Sequence, residues 1–236
     1  MKVTLISHTQ DAAKLLSFTK NTRLQMSAGG LDDWDELSRE QMRDQIEYIS
    51  QTIKSSWEFI DFTFMIEGVT RAFTHQFVRN RMGSYAQQTM RILDVSGFKY
   101  LTGPTIQTEE QLSVYNDTMD TIQLAYDKLI ELGVAVEDAR GVLPTNIHTN
   151  IVAKYNLRTL SDMMISRSSP RTQGEFRDVI ELMYNEVIKV YPWLVLFLKD
   201  RKHDAAKQLD SLITSDYEGT EQYLHFIKQV DILRGK

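Results

Sequence analysis

The stretch Phe59-Ile60-Asp61-Phe62-Thr63-Phe64-Met65-Ile66-Glu67 decides the fold class. Ile60, Phe62, Phe64 and Ile66 alternate with Asp61, Thr63, Met65 and Glu67, the period of two that buries one face of a strand and wets the other. Directly after it, Val69, Ala72, Phe73, Gln76 and Phe77 return to helical spacing, and that helix runs out near Arg79. Upstream, residues 10–23 read as a helix with Ala12, Leu15, Leu16 and Thr19 on one face, and residues 25–37, with Gly29-Gly30, read as a loop. Ser38 and Gln41 form a capping-box pattern that opens a helix carrying Met42, Ile46, Ile49 and Ile53. Downstream, Ile92 to Tyr100 reads as a second strand. Thr108 caps a long helix with Leu112, Tyr115, Met119, Ile122, Leu129 and Ile130 inward, and Gly133 stops it. A short helix is expected over 134–141, then helices over 145–165 and 172–190, with Pro144 interrupting and Pro192 ending the last. Strands set among helices without regular βαβ alternation predict an α+β fold, a single domain over residues 1–236.

Composition narrows the chemistry. With 42% hydrophobic and 25% charged residues over 236 positions, the chain has ordinary globular make-up. The apolar run Trp193-Leu194-Val195-Leu196-Phe197-Leu198 is too short to span a bilayer, and Met1 to His8 lacks an apolar core of signal-peptide length, so a cytoplasmic location without membrane contact is expected. There are no cysteines, which excludes disulfide frameworks, thiolate metal sites and every thiolate nucleophile. His8, His75, His148, His203 and His225 show no metal-ligand spacing, so no metal is expected. No G-x-G-x-x-G, P-loop or G-x-S-x-G pattern occurs. The net charge of −5 argues against nucleic acid as a partner but leaves room for a local anion pocket.

Gly68 to Leu93 supplies that pocket's chemistry: Arg71, Arg79, Arg81 and Arg91 with no acidic residue among them. Four arginines suit planar, bidentate recognition of phosphate, and Ser84-Tyr85-Ala86-Gln87-Gln88-Thr89 between them offers short hydrogen-bonding groups. On the residues alone, a solvated basic face paired with acids elsewhere is the favoured reading. Asn156-Leu157-Arg158 with Arg167 and Arg171 is a second arginine group, open to pairing with Asp162 or Glu175. Trp57-Glu58 reads as packing plus a solvated carboxylate.

Arg79-Asn80-Arg81, seven residues, then Thr89 and Arg91 resembles the Arg-His-Arg, seven residues, Ser signature of the flavin-dependent thymidylate synthases, the ThyX family. Ser55-Ser56-Trp57-Glu58 before Phe62-Thr63-Phe64 is similar to that family's upstream element. Gln76, Val142-Leu143-Pro144-Thr145-Asn146, Asn156-Leu157-Arg158-Thr159-Leu160, Arg167, Gln173, Glu175 and Pro192-Trp193 follow in order, so the resemblance covers about residues 50–200. It implies a small, mainly antiparallel sheet packed against several long helices, assembled as a homotetramer with shared active sites. It also implies C5 methylation of dUMP to dTMP with FAD, methylenetetrahydrofolate and NADPH. Such chemistry accounts for the missing cysteine: C5 of uracil is a poor nucleophile until C6 is saturated, and reduced flavin replaces the thiolate that another class of synthases uses.

The roles carried over from the resemblance are these. Arg91, Gln76 and Thr89 hold the nucleotide phosphate, Gln87 and Gln88 lie along the nucleotide, and Arg167 hydrogen-bonds the pyrimidine and stabilises charge developing on it. Arg167 and Thr89 form the catalytic pair. Ser55, Glu58, Arg79, Asn80, Arg81, Asn156, Arg158 and Arg171 line the flavin. Departures from the family pattern are Asn80 for His, Thr89 for Ser, Gln87 for Glu, Asn150 for a substrate-binding Arg, and Ile53 and Phe59 for upstream His residues. These changes leave a second expectation open, that another pyrimidine nucleotide (UMP or dCMP) is methylated or hydroxymethylated. A flavin- or nucleotide-binding protein without turnover is the third.

Overall fold

The structure is a computed structural model that describes residues 1–24, 38–167, 172–199, 209, 211–220 and 222–233. Four strands, β1 (Lys2–His8), β2 (Asp61–Thr70), β3 (Ser84–Gln87) and β4 (His148–Asn156), form one antiparallel sheet in the order β1-β2-β4-β3. Around it lie helices α1 (Ala12–Leu24), α2 (Arg39–Thr52), α3 (Arg71–Phe77), α4 (Glu109–Glu131), α5 (Leu157–Arg167) and α6 (Gly174–Val190). The α+β class and the small antiparallel sheet are as expected. No helix among the described residues is long and apolar enough to cross a membrane.

The deciding stretch behaves as its alternation requires. Ile60, Phe62, Phe64 and Ile66 are fully buried, each contributing about 1.5–3 kcal/mol of burial. Across the sheet Phe64 faces Ala153 and Ile66 faces Ile151, so large and small side chains share the space. The strand runs further than expected, to Thr70, with a register shift between Ile66 and Val69. Gly68 sits in that irregularity at φ +66, a backbone state that suits glycine. Its N–H donates to Asn150 Oδ1 at 2.9 Å.

The predicted capping box and the predicted Thr108 cap are present, and the latter proves to be a capping box as well. Ser38 and Gln41 open α2, and Thr108 and Gln111 open α4, which ends before Gly133. Burial on α4 falls on Met119 and Tyr126, while Leu112, Tyr115, Ile122, Leu129 and Ile130 are half-buried. The short helix lies at Val136–Ala139, and α6 ends before Pro192. The expected loop at 25–37 lies outside the described residues.

Two expectations are corrected. The helix expected over 145–165 is half strand: Thr149, Ile151, Ala153 and Tyr155 alternate inward along β4, and helix begins only at Leu157. There Leu157 N–H donates to Ile60 C=O at 2.7 Å. The strand expected over Ile92–Tyr100 is a series of turns. Ser96 donates through its N–H and hydroxyl to Asp94 Oδ1, and Gly97 at φ +68 breaks the alternation, leaving a single bridge from Tyr100 to Ile147. The third strand is instead the short β3, and β1 has no counterpart among the expected elements.

Candidate active site

α3 is anchored at its first turn. Thr70 Oγ1 accepts from Phe73 N–H at 3.0 Å, and Thr70 donates through its N–H and hydroxyl to the two oxygens of Glu175 at 2.7 and 2.6 Å. That carboxylate, in the first turn of α6, ties two helices to the end of β2. Phe73 and Phe77 then pack on Phe176. The anchored helix fixes where the arginine-rich segment leaves it.

At the far edge of the sheet, Gln88 is held by three bonds. Its N–H donates to Asn150 C=O at 3.1 Å, its Oε1 accepts from Asn150 N–H at 3.0 Å, and its own C=O accepts from the Arg71 guanidinium. Gln87 Nε2 donates to Thr74 Oγ1 at 2.8 Å and reaches Thr149 Oγ1 at 3.5 Å. Thr74 Oγ1 gives its own proton to Arg71 C=O at 3.1 Å, so its oxygen is free to accept from an amide. Thr89 Oγ1 accepts from Arg91 N–H at 3.1 Å, turning the chain outward, and the Arg91 side chain is exposed. Gln76 Nε2 donates to Gln173 Oε1 at 2.8 Å, and the Arg167 guanidinium lies 5.0 Å from the Phe176 ring centre.

The Arg79-Asn80-Arg81 turn is built by aromatic side chains beneath it. Tyr155 OH donates to Tyr85 OH at 3.0 Å, and Tyr85 OH donates to Asn80 C=O at 2.6 Å. Burial pushes both phenols above their ordinary range, so they remain proton donors. Asn80 Oδ1 accepts from Met82 N–H at 3.3 Å, so this side chain shapes the turn. A Cβ on Gly83 would lie 2.5 Å from Tyr155 Cε1 and 2.6 Å from Tyr85 OH, which only glycine avoids. Arg79 and Arg81 project into solvent.

Other expected site residues gather near the start of β2 and the end of β4. Arg158 Nη1 and Glu58 Oε1 are 2.6 Å apart, both about half exposed. Asn156 Oδ1 accepts from Thr159 N–H at 2.9 Å and caps α5. Ser55 Oγ accepts from Arg23, a residue that the sequence reading did not single out. Arg171 lies outside the described residues.

The structure therefore splits the expected residues into two groups. Gln88 pairs with Asn150, whereas Ser84, just beyond the arginine turn, pairs with Lys154 near Asn156. Asn150 and Asn156 are six residues apart on one strand, about 20 Å at 3.3 Å per residue. Arg79, Arg81 and Arg91 pair with no carboxylate among the described residues, so the reading favoured on the residues alone, a paired basic face, does not hold for them. Arg71 is half-buried, and burial first and Arg140 second push its pKa down. A hollow of about 630 Å³ against α4, lined by Ile106, Val114, Tyr115 and Met119, holds no arginine and has no phosphate chemistry.

Comparison with known proteins follows the same outline. The family described as "Thymidylate synthase complementing protein" matches residues 4–193. The chain is 33% identical over 211 residues to the flavin-dependent thymidylate synthase of Clostridium tetani, covering 81% of this chain and 84% of that one. It is 33% identical over 201 residues to the enzyme of the same name from Sulfolobus acidocaldarius, covering 82% and 75%. In fold it is similar, with TM-score 0.64 and 18% identity, to the flavin-dependent thymidylate synthase ThyX of Helicobacter pylori solved with FAD and dUMP, over 82% of this chain and 97% of that one.

Proposed function

The chain belongs to the flavin-dependent thymidylate synthase family, a family of enzymes, and from that premise we propose that it methylates C5 of dUMP to give dTMP. FAD is the resident cofactor in this reading, methylenetetrahydrofolate the one-carbon donor and NADPH the reductant. One observation carries it: Arg79, Arg81 and Arg91 stand in a single acid-free segment, unpaired by carboxylates among the described residues, on a turn and a loop braced from within. Such a donor set fits polyanionic ligands, a dinucleotide diphosphate at one end and a nucleotide phosphate at the other. When bound, reduced flavin supplies the hydride and relays the one-carbon unit.

The chain's own residues bind and orient. Arg91, Thr89 and Gln76 hold the phosphate, Gln87 and Gln88 lie along the nucleotide beside Asn150, and Arg167 stabilises negative charge growing on the pyrimidine. Arg79, Asn80 and Arg81 line the flavin with Ser55, Glu58, Asn156, Arg158 and Arg171. The homotetramer that the resemblance implies fits the 20 Å between the two groups if one subunit's nucleotide loop faces a neighbour's flavin-lining end.

Two departures from the family pattern have partners inside the protein. Gln87 donates to Thr74, and Asn150 accepts from Gly68. The Gln87 NH2 and the Asn150 carbonyl are thus engaged inside the protein and not left to read a different base or sugar, which favours dUMP over UMP or dCMP. The test is turnover of reduced, FAD-loaded protein with methylenetetrahydrofolate and each nucleotide separately, products read by mass. Methylated dUMP as the main product is expected. Turnover only with UMP or dCMP, or a hydroxymethyl product, overturns the substrate assignment. Arg91→Ala is expected to abolish dUMP binding while retaining FAD.

A further inference from the structure

A cavity of about 240 Å³ lies behind Gln88 and Thr89, closed on its other sides by Arg71, Ser96, Lys99 and His148. Its size is below the roughly 300 Å³ of small-molecule sites, yet leaves room for a tetrahedral oxyanion and a few waters at about 30 Å³ each. Arg71 turns one guanidinium nitrogen to the Gln88 carbonyl, while its Nε is buried without a hydrogen-bond partner. His148 Nε2 is buried without a partner as well. The Arg71 Nε is a donor in every state, and a buried donor without an acceptor is unfavourable, so an acceptor group is what this side chain lacks. Charge points the same way. No carboxylate pairs with Arg71 or Lys99 among the described residues. Asp94 also lines the cavity and is held ionised by the Ser96 N–H at 2.9 Å and hydroxyl at 2.7 Å on its Oδ1, so Arg71 and Lys99 leave the lining positive by one charge. Glu175 faces His148, but its two oxygens are engaged by Thr70. Burial first, then the Met1 amino group, and last Lys99, opposed by Glu175, hold the His148 pKa below its ordinary value, which keeps the ring neutral near pH 7.

We propose that this cavity is an oxyanion site in which Arg71 and Lys99 bind a phosphate-class group against the back of the Gln88–Thr89 loop. The phosphate comes either from the nucleotide's own 5′ position or from a free phosphate. Only the first source rests on the reading of residues 87–91 as a nucleotide loop.

The test titrates the purified full chain with inorganic phosphate, dUMP and deoxyuridine, in wild type and in Arg71→Gln, Arg71→Lys, Lys99→Gln and Arg91→Ala. Phosphate binding is expected in wild type, weakened about tenfold or more in Arg71→Gln and Lys99→Gln, and weakened less in Arg71→Lys. Competition between phosphate and dUMP, with deoxyuridine unaffected by Arg71→Gln, assigns the site to the nucleotide's phosphate. Simultaneous binding of both assigns it to a free anion. Phosphate bound in an Arg71-dependent way by a protein that takes no dUMP leaves the anion site standing and removes the nucleotide reading. No phosphate binding, equal binding in wild type and the Arg71 and Lys99 variants, or loss only in Arg91→Ala overturns the proposal. Lys99 is exposed, so Lys99→Gln tests the charge without disturbing the core.

Discussion

Gly83 shows how one residue sets the geometry of the arginine turn. Two tyrosine rings occupy the space that any side chain there would need, and those phenols brace the Asn80 carbonyl. Gly83→Ala is therefore expected to destabilise the protein by about 1–3 kcal/mol in urea denaturation and to weaken flavin binding with it. His148 gives a pH-dependent prediction. Its pKa is held below the ordinary 6.5, chiefly by burial, so the unfolded chain binds the proton more readily. Stability is full above about pH 6.5 and declines as pH falls toward the lower, folded-state value. His148→Gln is expected to flatten that decline in denaturation curves between pH 7.5 and 5, and an unchanged slope contradicts the assignment. At this scale Arg79 and Arg91 were visible as part of an acid-free arginine run and Arg158 as part of a second group, while the roles proposed for them came from the resemblance to the family signature. Arg71 was visible in the acid-free run but had no role until its guanidinium was seen on the Gln88 carbonyl. Arg23 and Thr74 gave no signal, since their importance comes from contacts with residues far along the chain.

Among the elements, α3 has the most to do in few residues. Its seven residues connect the end of β2 to the arginine turn, and the Thr70–Glu175 pair fixes its start. Thr70→Val removes both the cap and a carboxylate partner. A loss of about 1–2 kcal/mol is expected, together with weaker nucleotide binding, measured by denaturation and titration. Elements with a clear period were readable: β2 by strict alternation, α2 by its capping box and helical spacing, α4 by its Thr108 cap and helical spacing. β4 was mistaken for helix because His148 to Asn156 mixes polar residues with only four inward positions, and its strand state is set by pairing with β2 and β3. The 92–100 segment erred the other way. Its apolar residues resemble a strand, but the Asp94–Ser96 turn and Gly97 leave no continuous ladder. β3 has four residues and no pattern of its own, so only its neighbours specify it.

Across the whole molecule, the sheet both separates and orders the chemistry. One end of β4 carries the Gln88–Asn150 contacts and the other carries Asn156 and the Glu58–Arg158 pair. The two groups lie about 20 Å apart along β4, and we propose that a second chain completes each site. The most direct measurement mixes two variants, Arg91→Ala and Arg158→Ala, and assays dTMP formation from dUMP and methylenetetrahydrofolate. Each variant alone is predicted to be inactive, and co-assembled mixtures are predicted to regain turnover because some sites combine an intact nucleotide loop with an intact flavin-lining end. Mixed oligomers that form yet stay inactive at every ratio would contradict the account.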